Sequence, residues 1–210
     1  LRQRTQLLIE ERCDDAWLNS LESVLAETAV AVTAARQSLI KALNDEAAQG
    51  WFDFPGVELL LTGDTESWLS RMPALAVEDE FMLQAKLARK NGDLTVAGPH
   101  SSDFQALHLA SQTPASRSST GQQKAMLIAV ILAHARLQDR RLGRVPVMLF
   151  DDVTAHLDNL RRGALFDAFK CLGGQCWFSG TDDKQFKELM KLAQFVKISP
   201  AKSAGETPVF

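Results

Sequence analysis

The sequence predicts an α/β fold in which a helical arm or lobe, residues 1–91, precedes alternating strands and helices over residues 92–210. Two observations support this division. Between Leu18 and Ala42, small or apolar residues recur at alternating spacings of three and four, the pattern of one face of a long helix. After Gly92, apolar and polar residues alternate, and the run from Val145 to Phe150 is continuously apolar, as buried strands are.

The first 91 residues contain four predicted helices and one predicted strand. Asp14 and Asp15 suit the N-terminus of the long helix, and Gly50 lies beyond its predicted end. Pro73 interrupts the later helical pattern, which ends at Asn91 and the glycine after it. The predicted helices cover residues 1–11, 17–41, 67–72 and 77–90, and the predicted strand covers residues 57–61.

The remainder of the chain contains strands and helices in alternation. A Ser/Thr/Pro-rich loop, residues 111–120, precedes a helix whose centre, Ala125 to Ala133, is apolar nearly all round and is therefore expected to be buried. The predicted strands cover residues 94–97, 104–109, 145–150, 176–179 and 194–198, and the predicted helices cover residues 121–141, 160–172 and 183–193.

Composition restricts the class of protein. Hydrophobic residues make up 46% of the chain and charged residues 23%, the balance of a globular protein. The longest apolar run, Ala125 to Ala133, is about half of the roughly 18 to 20 residues that a membrane-spanning helix requires, so we expect no membrane partner. Cys13, Cys171 and Cys176 lack zinc-ligand spacing and no leader opens the chain, which predicts a cytoplasmic protein with free thiols.

Charge is distributed unevenly along the chain. Residues 1–110 carry a net charge of −8, whereas residues 111–210 carry +5. This asymmetry is found both in proteins with a polyanion-facing half and in ordinary solvated helix faces. Six arginines are candidates for contact with DNA phosphates. They are Arg136, Arg140, Arg141, Arg144, Arg161 and Arg162, of which the first four lie near a helix C-terminus, a position that suits cations in any case.

Two adjacent acids follow the apolar strand. Val147 to Phe150 runs directly into Asp151 and Asp152, so the strand delivers both carboxylates at its C-terminal end, the edge of an α/β sheet where ligands bind. In P-loop NTPases the first such acid holds Mg²⁺, and an adjacent acid can orient or deprotonate the attacking water. A strand that ends in a solvated turn has the same pattern, so the acids alone leave both interpretations open.

The start of the buried helix gives a second signal. Ser119, Gly121 and Gln122 place a hydroxyl, a glycine and an amide where a helix offers unpaired N–H groups and a partial positive charge. Glycine lets the backbone approach an anion closely, and serine adds a donor, so the segment suits a phosphate contact. The alternative is an ordinary serine N-cap.

Together these segments resemble the ABC-type ATPase head, in which an S-x-G-Q signature precedes the Walker B strand. Thr154-Ala155-His156-Leu157-Asp158 resembles the D-loop that follows Walker B. The closer resemblance is to the RecF family, bacterial replication and repair proteins related to SMC-type ATPases. It rests on Gly98-Pro99-His100 followed by Asp103-Phe104, on SSTGQQK, on the DDV that ends Walker B, and on Ser179-Gly180-Thr181-Asp182. The opening helices also look like the arm of that family.

The resemblance implies the C-terminal part of an ABC-type P-loop ATPase head, residues 92–210, joined to a helical arm or lobe II, residues 1–91. It further implies a weak ATPase that uses ATP and Mg²⁺, forms a homodimer on ATP, and binds double-stranded DNA and single-strand/double-strand junctions. RecO and RecR are the implied partners in loading RecA at single-strand gaps.

Site residues also follow from the resemblance. Asp151 would hold Mg²⁺, Asp152 would position the hydrolytic water, and Thr181 would take the place of the switch residue. Ser119 and Gly121 would contact the γ-phosphate of the nucleotide that the other subunit holds. The further residues implied to bind nucleotide are Gln122 and, at the dimer seam, Asp158.

Three features differ from the pattern of these families. RecF sequences usually carry an arginine and two acids after Gly-Pro-His, where this chain has Ser101, Ser102 and Asp103. Thr181 stands where ABC transporters have a switch histidine, and Asp152 stands where a glutamate is usual. Since threonine cannot act as a cation and aspartate is one methylene shorter, we expect slow hydrolysis.

No G-x-x-x-x-G-K-[ST] phosphate loop occurs in the 210 residues. Because Leu1 also falls in a predicted helix without an N-cap, we expect the chain to begin partway through a longer protein and to lack the first half of the head. The 210 residues alone are therefore expected to be inactive. Two alternatives remain: another SMC-like ABC ATPase acting on DNA, such as an overcoming-lysogenisation-type nuclease, or a non-catalytic helical scaffold.

Overall fold

Helices make up most of the chain in the computed structural model, which describes residues 1–9 and 14–198. The helices are α1 Arg2–Ile9, α2 Asp15–Ala47, α3 Asp64–Leu69, α4 Ala74–Lys90, α5 Thr120–Leu142 and α6 Asn159–Leu172. The strands are β1 Val57–Thr62, β2 Asp103–His108, β3 Thr113–Pro114, β4 Met148–Phe150 and β5 Cys176–Phe178. Short 3-10 helices cover Ala115–Arg117, Val153–His156 and Asp183–Leu189. Within the described ranges, no helix is long and apolar enough to cross a membrane.

The long helix α2 begins at its predicted cap, because the Asp14 carboxylate accepts a hydrogen bond from the Ala16 N–H at 2.9 Å. Its buried stripe differs from the predicted one. Leu18 is buried as expected, but the stripe then passes through Glu22, and Leu39 of the predicted seam is 40% exposed. Glu22 is charged, so a pattern of apolar residues does not include it in the buried face of α2.

Glu22 is buried because it is paired. The Arg4 Nε lies 2.8 Å from Glu22 Oε1, and both side chains are almost fully buried. Arg4 also donates hydrogen bonds to the carbonyl oxygens of Leu94 and Ala85, at 2.8 and 3.3 Å. The strand predicted over Leu94 to Ala97 is therefore wrong, since an arginine side chain takes the place of a neighbouring strand and the segment is irregular.

An antiparallel sheet in the order β1-β2-β3 joins the two parts of the chain. Its β1–β2 register runs from Val57 opposite His108 to Thr62 opposite Asp103. On the other side of β1, the Asn44 side chain of α2 hydrogen-bonds the Leu59 N–H and carbonyl, at 2.8 and 3.0 Å. The predicted boundary at residue 91 stays a prediction, and this sheet spans it.

The second sheet is the parallel pair β4–β5, with Met148 opposite Cys176 and Phe150 opposite Phe178. Its core includes the centre of α5, which is mostly buried as predicted, although Leu127 in that segment is 60% exposed. The strand predicted over Gln194 to Ile198 is wrong: this segment is exposed and, within the described residues, pairs with no strand. The helix predicted before it is instead a 3-10 helix followed by turns.

Candidate functional site

Asp151 and Asp152 follow β4 at its carboxyl end, where the parallel register brings Ser179 beside them. The Ser179 N–H donates to the Phe150 carbonyl oxygen at 2.9 Å, which extends the strand pairing by one residue. The Ser179 hydroxyl donates to Asp151 Oδ1, and the same hydroxyl oxygen accepts the Asp152 N–H at 3.0 Å. One serine therefore fixes both the first carboxylate and the backbone of the second acid.

Asp152 has left-handed backbone angles, with φ at 47° and ψ at 28°. For a residue with a side chain this conformation costs roughly 1–2 kcal/mol. Such strain is concentrated at functional sites, where the surrounding structure holds it in place. Here it is held by the hydrogen bond from the Asp152 N–H to Ser179 and by the 3-10 helix that follows, in which the buried Thr154 donates to Gln185 Oε1 at 2.6 Å.

A cavity of about 520 Å³ lies between α5 and β4. Apolar side chains of both elements form most of its lining, and Asp151, Asp152 and Lys124 are its charged lining residues. Apolar walls with a few convergent polar groups are typical of ligand sites. Ser119 and Gly121 are absent from the lining formed by the described residues, although they lie only one turn before Lys124.

Ser119 is the N-cap of α5 and forms a capping box with Gln122. The Gln122 N–H donates to the Ser119 hydroxyl oxygen at 3.3 Å, and the Ser119 N–H donates to Gln122 Oε1 at 3.1 Å. Both residues are exposed. The ordinary serine N-cap, which was the alternative to a phosphate contact, is therefore present in the structure. An exposed helix N-terminus of this kind is also suited to anion contact.

Asp158 is the N-cap of α6, where its carboxylate accepts the Arg161 N–H at 2.8 Å. The Arg161 side chain extends to the start of α5: its Nη1 is 3.9 Å from where a Cβ on Gly121 would lie. Its Nε is 3.9 Å from Asp53 Oδ2. Arg161 thus connects the D-loop-like segment with the signature-like segment, a role that its sequence position did not indicate.

Thr181, the predicted switch residue, lies exposed in the loop after β5. The hydrogen bond to Asp151 comes instead from Ser179, two residues earlier, which sequence analysis quoted but gave no role. Between them, Gly180 has no room for a side chain, because a Cβ there would lie 2.7 Å from the Phe186 ring. The parallel pairing of β4 and β5 was the signal that could have identified Ser179.

Two of the arginines considered for DNA contact are paired within the chain. The Arg140 Nη1 lies 2.6 Å from the buried carboxylate of Glu46, and the Arg136 Nη2 lies 3.4 Å from it. Arg136 also donates to the Glu46 carbonyl oxygen and stacks on Trp51, 5.0 Å from the ring centroid. Their first role is to join α2 to α5. Of the six arginines this leaves the exposed Arg141 and Arg144 and the partly exposed Arg161 and Arg162 for phosphate contact.

Cysteine chemistry is absent from the site. Cys171 and Cys176 are free thiols, and Cys13 lies outside the described residues. Burial raises the pKa of the Cys176 thiol to about 11, so it stays protonated at neutral pH. Over residues 1–9 and 14–198, no group of three or more His, Cys, Asp or Glu side chains could hold a metal ion without help from a ligand.

The parallel strand pair and the capped helices α5 and α6 have the fold of part of an ABC-type ATPase head. No protein-family model matches the chain. It is 37% identical over 203 residues to the DNA replication and repair protein RecF of Mesorhizobium japonicum, 39% over 204 residues to that of Agrobacterium fabrum, and 37% over 211 residues to that of Rhizobium etli. These matches cover 94, 95 and 98% of the chain, but only 54, 54 and 56% of the relatives.

Two solved structures have the same fold, with a TM-score of 0.69 each and sequence identities of 21 and 20%. They are structures of the recombination mediator protein RecF with ATPrS and with ATP, and they match 88 and 89% of this chain and 51 and 52% of their own. The resemblance to RecF is thus confirmed. The chain is similar to RecF over nearly its whole length and spans about half the length of the curated relatives it matches.

Proposed function

We propose that this chain is the signature and Walker B portion of a RecF-like ATPase that acts in DNA replication and recombinational repair. The observation that carries the proposal is the placement of Asp151 and Asp152, fixed by Ser179, at the carboxyl end of a parallel strand pair. That edge is where α/β folds bind ligands. RecF relatives aligned to nearly the whole chain, and RecF structures with ATP, support a nucleotide as the ligand.

Asp151 fits the role of magnesium ligand. Mg²⁺ in nucleotide enzymes is bound through one or two carboxylates together with waters and substrate phosphates, so a single exposed carboxylate is sufficient. Asp151 is exposed, and its Oδ1 is oriented by Ser179. The bound ion would neutralise charge on the nucleotide phosphates. Asp152, held in its left-handed conformation, would orient or deprotonate the hydrolytic water, with Thr181 as a neutral hydrogen-bonding group in the switch position.

Ser119, Gly121 and Gln122 would contact the nucleotide bound to a second copy of the protein. Supporting this, the cavity lined by Asp151 does not include Ser119, Gly121 or Gln122 among its described lining residues. The exposed N-terminus of α5 is accordingly available to a partner's phosphate. Asp158 would lie at the seam between the copies, and ATP would hold them together.

DNA and protein partners are proposed from the same relatives. We infer binding to double-stranded DNA and to single-strand/double-strand junctions, with RecO and RecR as partners in loading RecA, in the cytoplasm. The exposed Arg141 and Arg144 and the partly exposed Arg161 and Arg162 are the residues of the six left for DNA phosphates. This assignment is narrower than the expectation from sequence, because Arg136 and Arg140 pair with Glu46.

Residues 1–210 alone are expected not to hydrolyse ATP, because they contain Walker B acids but no G-x-x-x-x-G-K-[ST] loop to retain Mg-ATP. The complete protein that contains this chain is expected to hydrolyse ATP slowly. Phosphate release by the two preparations, at equal concentration and over a range of ATP concentrations, checks the difference. Saturable hydrolysis by residues 1–210 that is lost on Asp152→Asn would contradict the proposal that the phosphate loop lies elsewhere.

A further inference from the structure

We propose that Arg161 is a further nucleotide-binding residue: its guanidinium would contact the terminal phosphate of the nucleotide held by the second copy, beside the N-terminus of α5. This inference rests on the proposed function and extends its signature site. It assigns to the first turn of α6 a direct part in nucleotide-dependent association.

The position of Arg161 is set from two sides. Its backbone N–H is held by the Asp158 cap at 2.8 Å, so the first turn of α6 is fixed. Its side chain, 31% exposed, then crosses to α5, where Nη1 lies 3.9 Å from the site of a Gly121 Cβ. That distance is ordinary van der Waals spacing, so the guanidinium lies beside the first turn of α5, where Gly121 presents no side chain.

The electrostatics of this position are unfavourable without an anion. The N-terminus of a helix carries a partial positive charge, and a cation placed there is repelled. Arg140 shows the favourable case, since it lies in the last turn of α5 and pairs with Glu46 at 2.6 Å. Arg161 lies instead at the first turn. A phosphate group between Arg161 and the α5 N–H groups would turn this repulsion into two attractive contacts.

Asp53 compensates Arg161 only weakly. The distance from Arg161 Nε to Asp53 Oδ2 is 3.9 Å, at the outer limit of an ion pair and too long for a hydrogen bond. By contrast, the structural pair Arg4 and Glu22 is closed at 2.8 Å. Both side chains of the Arg161–Asp53 pair are partly exposed, so solvent screens their attraction further. Arg161 is therefore free to exchange Asp53 for a phosphate.

The test is sedimentation of the complete protein with and without ATP, comparing wild type with Arg161→Gln. This change removes the charge but keeps a polar side chain at a partly exposed position. We expect ATP-dependent dimerisation to weaken about ten-fold to one-hundred-fold, as for the loss of a charge-assisted hydrogen bond. Arg161→Lys should restore part of the loss. The matched control is Arg162→Ala, since the next guanidinium donates to Asn159 instead and its loss should leave dimerisation unchanged.

A purely structural role for Arg161 predicts a different result. Asp53→Asn removes the same ion pair, so it would weaken dimerisation as much as Arg161→Gln if only that pair mattered. We expect Asp53→Asn to dimerise at least as well as wild type. Failure of the wild type to dimerise on ATP would overturn the proposed function itself. Wild-type dimerisation by Arg161→Gln, or a loss of DNA binding alone, would overturn only the assignment of Arg161.

Discussion

Replacing Asp152 with Asn is expected to slow ATP hydrolysis by the complete protein about 10²-fold to 10⁴-fold, the usual contribution of a positioned acid or base. The amide has the size of the carboxylate but cannot accept the proton of an attacking water. Asparagine also tolerates the left-handed conformation that Asp152 adopts, so the backbone should stay in place. Single-turnover hydrolysis measures the chemical step separately from product release.

ATP binding should survive the Asp152→Asn change, and the ATP-bound dimer should live longer because it is no longer consumed. Asp167→Asn is the matched control, since Asp167 is an exposed aspartate of α6 whose partner is Lys170. Its turnover should equal that of wild type. An unchanged single-turnover rate for Asp152→Asn would remove Asp152 from the chemistry.

Replacing Ser119 with Arg is expected to abolish ATP-dependent dimerisation while each subunit still binds ATP. The new side chain would occupy the exposed N-terminus of α5, where the partner's γ-phosphate must approach. Asp151 and its neighbours at the end of β4 are untouched. Light scattering after size exclusion, together with binding of a fluorescent ATP analogue, measures the two properties on the same sample.

The capping interpretation predicts a smaller and different effect of the same change. If Ser119 were only a cap, its loss would lower the free energy of unfolding by roughly 0.5–2 kcal/mol and leave dimerisation intact. Ser119→Ala gives the stability cost of the cap alone, by thermal unfolding. Ser116→Arg is the control for charge and bulk, because Ser116 is exposed in the preceding 3-10 helix. Dimerisation of Ser119→Arg on ATP would leave Ser119 with the capping role only.

Local sequence patterns predicted the elements that carry the site. The buried centre of α5, the acids after β4 and the helix α6 are found close to their predicted positions, since each depends on hydrophobic periodicity and capping residues nearby in sequence. Hydrophobic periodicity and capping residues did not predict the irregular segments of the chain. The segment that begins at Leu94 accepts a hydrogen bond from Arg4, a residue 90 positions away. No pattern within a short window contains that information.

In the candidate site, too, some features depend on residues that are adjacent in sequence and others depend on the packing of distant elements. The Ser119 cap follows from adjacent residues, so it could be expected from the sequence alone. Ser179 and Arg161 reach the site through the pairing of β4 with β5 and the packing of α6 near α5. The left-handed conformation of Asp152, which aspartate tolerates better than most residues, is likewise held by its tertiary setting, through the hydrogen bond from its N–H to Ser179. These features became visible only with the fold.

The central claim is that each nucleotide lies between the Walker B acids of one copy and the signature serine of the other. Mixing the complete Ser119→Ala and Asp152→Asn proteins tests it most directly, by steady-state ATP hydrolysis, because alanine removes the serine contact without obstructing the partner's phosphate. In a mixed dimer one site combines intact Asp152 with intact Ser119, so we predict that the mixture hydrolyses ATP faster than the sum of the two variants alone. A mixture no more active than that sum would contradict the claim, because it would place Ser119 and Asp152 at the same subunit's nucleotide.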